Sequence, residues 1–121
     1  MAVKYEDQYL EQGSNFTHQQ ALTDDYGNPF NLTGYTITSR AKKSYTTANV
    51  AFNFTTAIAN ANNGIITFSL SAPVTANIPY GKYVYDVITT SSSNVVSRVL
   101  EGQIYVSPGV TGVINSYGTD A

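Results

Sequence analysis

The stretch LSAPVTANIPYGKYVYD, residues 70–86, decides the fold. It begins as the end of one alternating segment and finishes as the start of another, with a Pro-bounded short turn of helix between them. On the near side, Gly64 to Leu70 places Ile66, Phe68 and Leu70 on one face. On the far side, Gly81 to Ile88 places Tyr83, Tyr85 and Val87 on one face. A period of two puts alternate side chains on opposite faces of a pleated strand, so the unit reads strand, corner, strand. It is a scaffold element and carries no catalytic group.

The same rhythm extends outward in both directions, with turn chemistry at roughly ten-residue spacing, the pattern of an all-β sandwich or barrel. Tyr5 to Leu10 reads as a first edge strand, and Asn15 to Leu22 as a second with Phe16, His18, Gln20 and Leu22 on one face. DDYGNP, residues 24–29, is a strong turn, combining Asx side chains, a Gly and a Pro. Tyr35 to Arg40 sets Tyr35, Ile37 and Ser39 against Thr36, Thr38 and Arg40, a half-buried antiparallel strand. Val50, Phe52 and Phe54 alternate in the next strand, and Asn63-Gly64 supplies a tight turn before its partner. Val95 to Val106 forms the last long strand, with Leu100, Gly102, Ile104 and Val106 inward and Val95, Ser97, Glu101 and Gln103 outward. The expected fold is therefore an all-β, Ig-like antiparallel β-sandwich of seven to eight strands with one short helical turn near 72–78. Its expected core is Phe52, Phe54, Ile66, Phe68, Leu70, Tyr83, Tyr85, Leu100, Ile104 and Val106.

Composition agrees with strands. Of 121 residues only 12% are charged, whereas Thr (15) and Ser (11) are abundant, and β-branched and aromatic residues suit a pleated, half-buried surface. The length is that of one domain. Residues 1–108 are assigned to the sandwich. Residues 109–121, interrupted by Gly109, Gly112 and Gly118 but holding Val110, Val113, Ile114 and Tyr117, read as a C-terminal arm whose apolar side chains dock on a neighbouring subunit or fold back on the chain's own domain.

A formal charge of −2 and a pI near 5 argue against a partner bound through its phosphates, so no nucleic acid is expected. With no cysteine there is no disulfide framework and no thiolate metal site. No apolar run resembles a signal peptide or a membrane span, and a soluble chain without membrane contact is expected.

Candidate chemistry is sparse. His18 is the one histidine, but it alternates with Phe16 and Leu22 and lacks a nucleophile elbow, so it reads as a strand histidine without a catalytic role. Glu6-Asp7 and Asp24-Asp25 are adjacent pairs whose side chains diverge in an extended chain, which rules them out locally as acid/base dyads. Asp24 to Asn28 gathers hard oxygens around Gly27, yet without EF-hand spacing it reads as a plain turn rather than a Ca²⁺ site. Lys42-Lys43, with Arg40, Tyr35 and Tyr45 nearby, is a small basic cluster better suited to a salt bridge with another subunit than to a nucleic-acid platform. Three Asn-x-Thr sequons, at Asn15, Asn31 and Asn53, are no more than chance gives in so Asn- and Thr-rich a chain. Ten tyrosines are the more informative count, because Tyr is favoured both in strands and in protein and sugar interfaces.

The order ALTDDYGNPFNLTGYT (residues 21–36), NGIITFSLS (63–71), TANIPYGKYVYD (75–86) and LEGQIYVSPGVT (100–111) resembles the small Ig-like β-sandwich domains of tailed-phage virions. These include the N-terminal modules of upper baseplate proteins and short structural proteins of marine and cyanobacterial phages. The shared pattern is a polar turn ending in Leu-Thr-Gly, a Gly-led alternating strand, a Thr-Ala short helix leading to G-x-Y-x-Y-D, and a last strand carrying a Gly. The resemblance implies a non-enzymatic virion structural protein with no cofactor and no catalytic residue. It would attach to other virion proteins at the tail, baseplate, neck or capsid surface, in a symmetric assembly. In multidomain relatives a receptor-binding or trimerising segment follows, whereas this sequence stops ten residues after Thr111. The alternative is a carbohydrate- or host-receptor-binding module, supported by the tyrosines and Thr/Asn-rich loops but without a tryptophan platform. An enzyme ranks third.

Overall fold

The computed structural model describes residues 3–109. Nine strand segments and one helical turn follow in chain order: β1 Lys4–Tyr5, β2 Gln8–Glu11, β3 Phe16–Ala21, β4 Thr36–Lys42, β5 Phe52–Asn53, β6 Thr55–Asn60, β7 Ile65–Leu70, α1 Ala72–Thr75, β8 Gly81–Thr90 and β9 Val96–Ser107. They form two sheets. The larger has the order β1-β9-β8-β4-β5, with β2 also on β9, and the smaller has the order β3-β7-β6. This is the all-β, Ig-like sandwich expected from the periodicity, and the helical turn lies within residues 72–78.

The inward residues of the two sheets meet in one aromatic-rich core. Phe68 sits at its centre, fully buried, with Phe54 at 5.2 Å, Tyr85 at 5.9 Å and Phe16 at 6.1 Å between ring centroids. All ten residues expected in the core are buried, joined by Leu10, Leu22, Leu32, Ala41, Ile78, Val87 and Val99.

Three features depart from strict alternation, each for a physical reason. The expected edge strand Tyr5 to Leu10 is two strands, because the backbone dips at Glu6 to meet the Tyr85 hydroxyl at 2.6 Å. Both pieces run parallel to β9, whereas an antiparallel edge was expected. The strand through Val50, Phe52 and Phe54 also divides: the chain leaves the large sheet after Asn53 and enters the small one at Thr55, with the Phe54 amide bonded to the Ser39 carbonyl at the crossing. In β9 the register slips. Val87 pairs with Leu100 and Ile88 with Arg98, so Val99 is a bulge residue and is buried together with Leu100. Arg98 is thereby turned onto the outer face, opposite to the phase that strict alternation from Leu100 assigns.

The corner at residues 71–80 is tied to the β2–β3 turn. Thr75, fully buried, donates its hydroxyl proton to the Ser14 carbonyl at 2.8 Å and accepts from the Gly13 amide at 3.1 Å. Gln12 adds a second tie, donating to the Ile78 carbonyl at 2.7 Å. Its side-chain oxygen also accepts from the Gly109 amide, at 3.0 Å. The arm residues Val110, Val113, Ile114 and Tyr117 lie outside the described residues.

Candidate binding face

The outer face of the large sheet follows from the pleat. If Tyr83, Tyr85 and Val87 point into the core, Val84, Asp86 and Ile88 of β8 point out; if Ser39 and Ala41 of β4 are buried, Thr38, Arg40 and Lys42 point out. From β9, Glu101 points out by the same alternation and the bulge at Val99 adds Arg98. The 43–51 segment between β4 and β5 folds over this surface and brings Tyr45, Ala48 and Val50 against it. The result is a cleft of about 480 Å³, floored by the sheet and walled by that loop.

Its electrostatics are uneven. The Arg98 guanidinium contacts Asp86 at 3.4 Å and Glu101 at 3.9 Å, so one cation serves both carboxylates. Arg40 faces Asp86 across the β4–β8 ladder, yet neither Arg40 nor Lys42 forms an ion pair among the described residues.

Beside the cleft lies a row of tyrosines. Tyr9 and Tyr105, paired across β2 and β9, stack with centroids 5.4 Å apart and planes 16° apart. Tyr5 lies further along the same edge. Its phenol is held above its ordinary pKa first by desolvation, then by the neighbouring Asp7 carboxylate and by Tyr45 and Tyr105. Asp7 also fixes the edge, accepting from the Gln103 amide at 3.1 Å. Tyr5, Tyr9 and Tyr45 nevertheless remain 59%, 70% and 65% exposed.

The other residues weighed in the sequence have local duties. His18 lies over Phe68 at 5.1 Å with its Nε2 at 3.1 Å from Gln20 Oε1 and 3.8 Å from Glu6 Oε2, a packed strand histidine. Asp24 Oδ1 accepts from the amides of Tyr26 (2.9 Å) and Asn28 (3.0 Å), the work of a turn residue. The basic cluster divides. Arg40 and Lys42 line the cleft with Tyr45, Lys43 stands over the Tyr83 ring at 4.4 Å, and Tyr35 packs edge-on to Phe30. Sequence reasoning gave Arg40 its outward face but missed Arg98, and an arginine at a nominally inward position was itself the signal of the bulge.

No family model matches the chain, and no curated protein matches it. Among solved structures it is similar to the sialic acid binding region of the Streptococcus sanguinis SK1 adhesin, bound to 3'sLn. The two are 17% identical with a TM-score of 0.48, and the match covers 87% of this chain and 28% of that one.

Proposed function

We propose that the protein is a non-catalytic structural subunit of a tailed-phage virion, mounted on other virion proteins through the tyrosine edge of its large sheet. One observation carries the reading: Tyr5 and Tyr9 of the β1–β2 edge and Tyr45 of the loop that covers the outer face of the large sheet all stand more than half exposed. Tyrosine gives large contact area at low entropic cost and is enriched where proteins meet. The sequence resemblance to phage sandwich domains supplies the setting, and the symmetric particle supplies the partners. Antibody labelling of purified particles tests the location. In particles assembled with a Tyr5→Ser/Tyr9→Ser chain of unchanged thermal stability, incorporation should fall at least several-fold. Wild-type incorporation of that variant, or absence of the chain from purified particles, refutes the proposal.

A second reading, a carbohydrate- or host-receptor-binding module, is favoured by the cleft, where a loop over the sheet encloses about 480 Å³ lined by Thr38, Arg40, Lys42 and Tyr45, a volume within the range of small-ligand sites. Saturable binding of a glycan by the isolated chain, lost on filling the cleft with Thr38→Trp, supports it; no binding across a glycan array removes it.

A further inference from the structure

We infer that the cleft between the 43–51 loop and the outer face of β4, β8 and β9 is a site for a carboxylate-bearing sugar, held by Arg40 and Lys42 and covered by Tyr45. The inference rests on the second reading above and names the ligand class. The volume, about 480 Å³, lies in the range of small-molecule sites and admits a few sugar rings, not a folded partner.

The charge selects the class. Of six Lys and Arg in a chain of net charge −2, three line this one cleft. The two carboxylates there, Asp86 and Glu101, both contact Arg98, and although Arg40 faces Asp86 across the ladder it forms no ion pair with it among the described residues, so three cations against two carboxylates leave the cleft positive. Arg40 and Lys42 are left as cations on one face of β4, two positions apart and hence about 6–7 Å along the strand. A carboxylate between them receives the planar guanidinium fork on one side and an ammonium on the other. Around them the lining is mixed. Thr38 offers a hydroxyl, while Ala48, Val50 and Ile88 offer apolar surface suited to the C–H face of a pyranose, and the exposed Tyr45 ring stands at the rim. A neutral sugar would use the second set and leave the two cations idle; an acidic one uses both.

The test is titration of the intact chain, followed by NMR or calorimetry, with glucuronic, galacturonic and N-acetylneuraminic acid glycosides and with glucose, galactose and N-acetylglucosamine as neutral counterparts. At least one acidic sugar should bind saturably and about tenfold or more tighter than the neutral ones. Arg40→Gln, at an exposed strand position and with melting unchanged, should weaken that binding about tenfold, and so should raising salt to about 0.5 M. Equal binding of neutral sugars, abolished by Thr38→Trp, overturns the acidic assignment and leaves glycan binding standing. No sugar binding at all overturns both. Binding of an acidic peptide without any acidic sugar, or an Arg40→Gln variant that binds like wild type, also overturns the inference.

Discussion

Gly102 stands where the Glu6 carbonyl presses against the large sheet: a Cβ at position 102 would lie 2.0 Å from that oxygen and 2.7 Å from its carbon. The obstruction is backbone, so a side chain cannot swing aside to relieve it. Only a glycine lets the kink between β1 and β2 sink far enough for the Glu6 amide to bond the Glu101 carbonyl at 2.8 Å and for Tyr85 to reach the Glu6 oxygen.

Gly102→Ala should therefore strip the N-terminal edge from β9. Overpacking of this kind costs about 1–3 kcal/mol, and displacement of the Glu6 carbonyl adds the loss of a buried hydrogen bond. Hydrogen exchange is the discriminating measurement. The amide of Glu6 and those of β2 should lose protection while β7 keeps it; uniform loss across both sheets, or no change, would contradict this account.

Tyr85 is the second half of the same arrangement. Its hydroxyl, in a side chain only 3% exposed, donates to the Glu6 carbonyl and accepts from Gln8 Nε2 at 3.3 Å. Burial pushes its pKa up to about 12, the Gln8 hydrogen bond opposing and the Glu6 carboxylate reinforcing the shift. A phenol harder to ionise in the folded state than in the unfolded one contributes stability that is intact below the unfolded value of 10 and is lost as pH rises through about 12. Denaturant midpoints taken between those pH values should fall more steeply for the wild type than for Tyr85→Phe. At neutral pH the same variant should be destabilised by about 1–3 kcal/mol, because the Glu6 carbonyl loses its buried donor. Parallel alkaline slopes would show that other tyrosines dominate.

How much of this was legible beforehand depended on whether a residue obeys the local period. Ile66, Phe68, Tyr83, Tyr85 and Ile104 repeat every second position, and their burial follows from the pleat alone. Ile78 is buried from a loop, where no period exists to betray it, and Leu32 is buried from a segment whose Phe30–Leu32 alternation forms no strand. Val99 is buried because a bulge adds one residue to β9, and Arg98 joins the lining of the cleft for the same reason. The cleft's wall was equally hidden, since residues 43–49 have no repeating pattern, Val50 lies ahead of β5 and lines the cleft instead of sharing the buried face of Phe52 and Phe54, and the placement of the loop over the sheet is a tertiary fact. The division of the first strand was implicit in Gly102, but its meaning required knowing that β1 lies beside β9 and parallel to it.

Thr75 tests whether the corner between β7 and β8 is held by polar ties or by packing. Thr75→Val keeps the shape but removes the hydroxyl, stranding the Gly13 amide and the Ser14 carbonyl. Gly13 is only half-buried and the carbonyl of the exposed Ser14 can turn to water, so a loss of about 1–3 kcal/mol is expected in chemical denaturation. Thr75→Ser retains the hydroxyl and should cost about 1 kcal/mol for the missing methyl. If the valine variant is the more stable of the two, packing alone holds the corner.

Gly64 and Gly27 separate two demands that a glycine can meet. Both have left-handed backbones, with φ of +67° and +82°. At Gly27, in the exposed 24–29 turn, a Cβ would meet nothing within 4 Å. At Gly64 it would meet the carbonyl oxygens of Phe30 at 2.5 Å and Leu22 at 2.6 Å, where the Leu22 amide bonds the Gly64 carbonyl at 2.8 Å. Gly27→Ala should thus cost only the conformational penalty, about 1–2 kcal/mol. Gly64→Ala carries that penalty and must also push apart the segment that joins Leu22 and Phe30 to the β6–β7 turn, adding about 1–3 kcal/mol more. Measured in one denaturation series, the difference between the two variants isolates the close approach from the dihedral angle. Equal costs at the two sites would mean that the segment holding Leu22 and Phe30 yields freely, and that it contributes little to fixing the small sheet against the core.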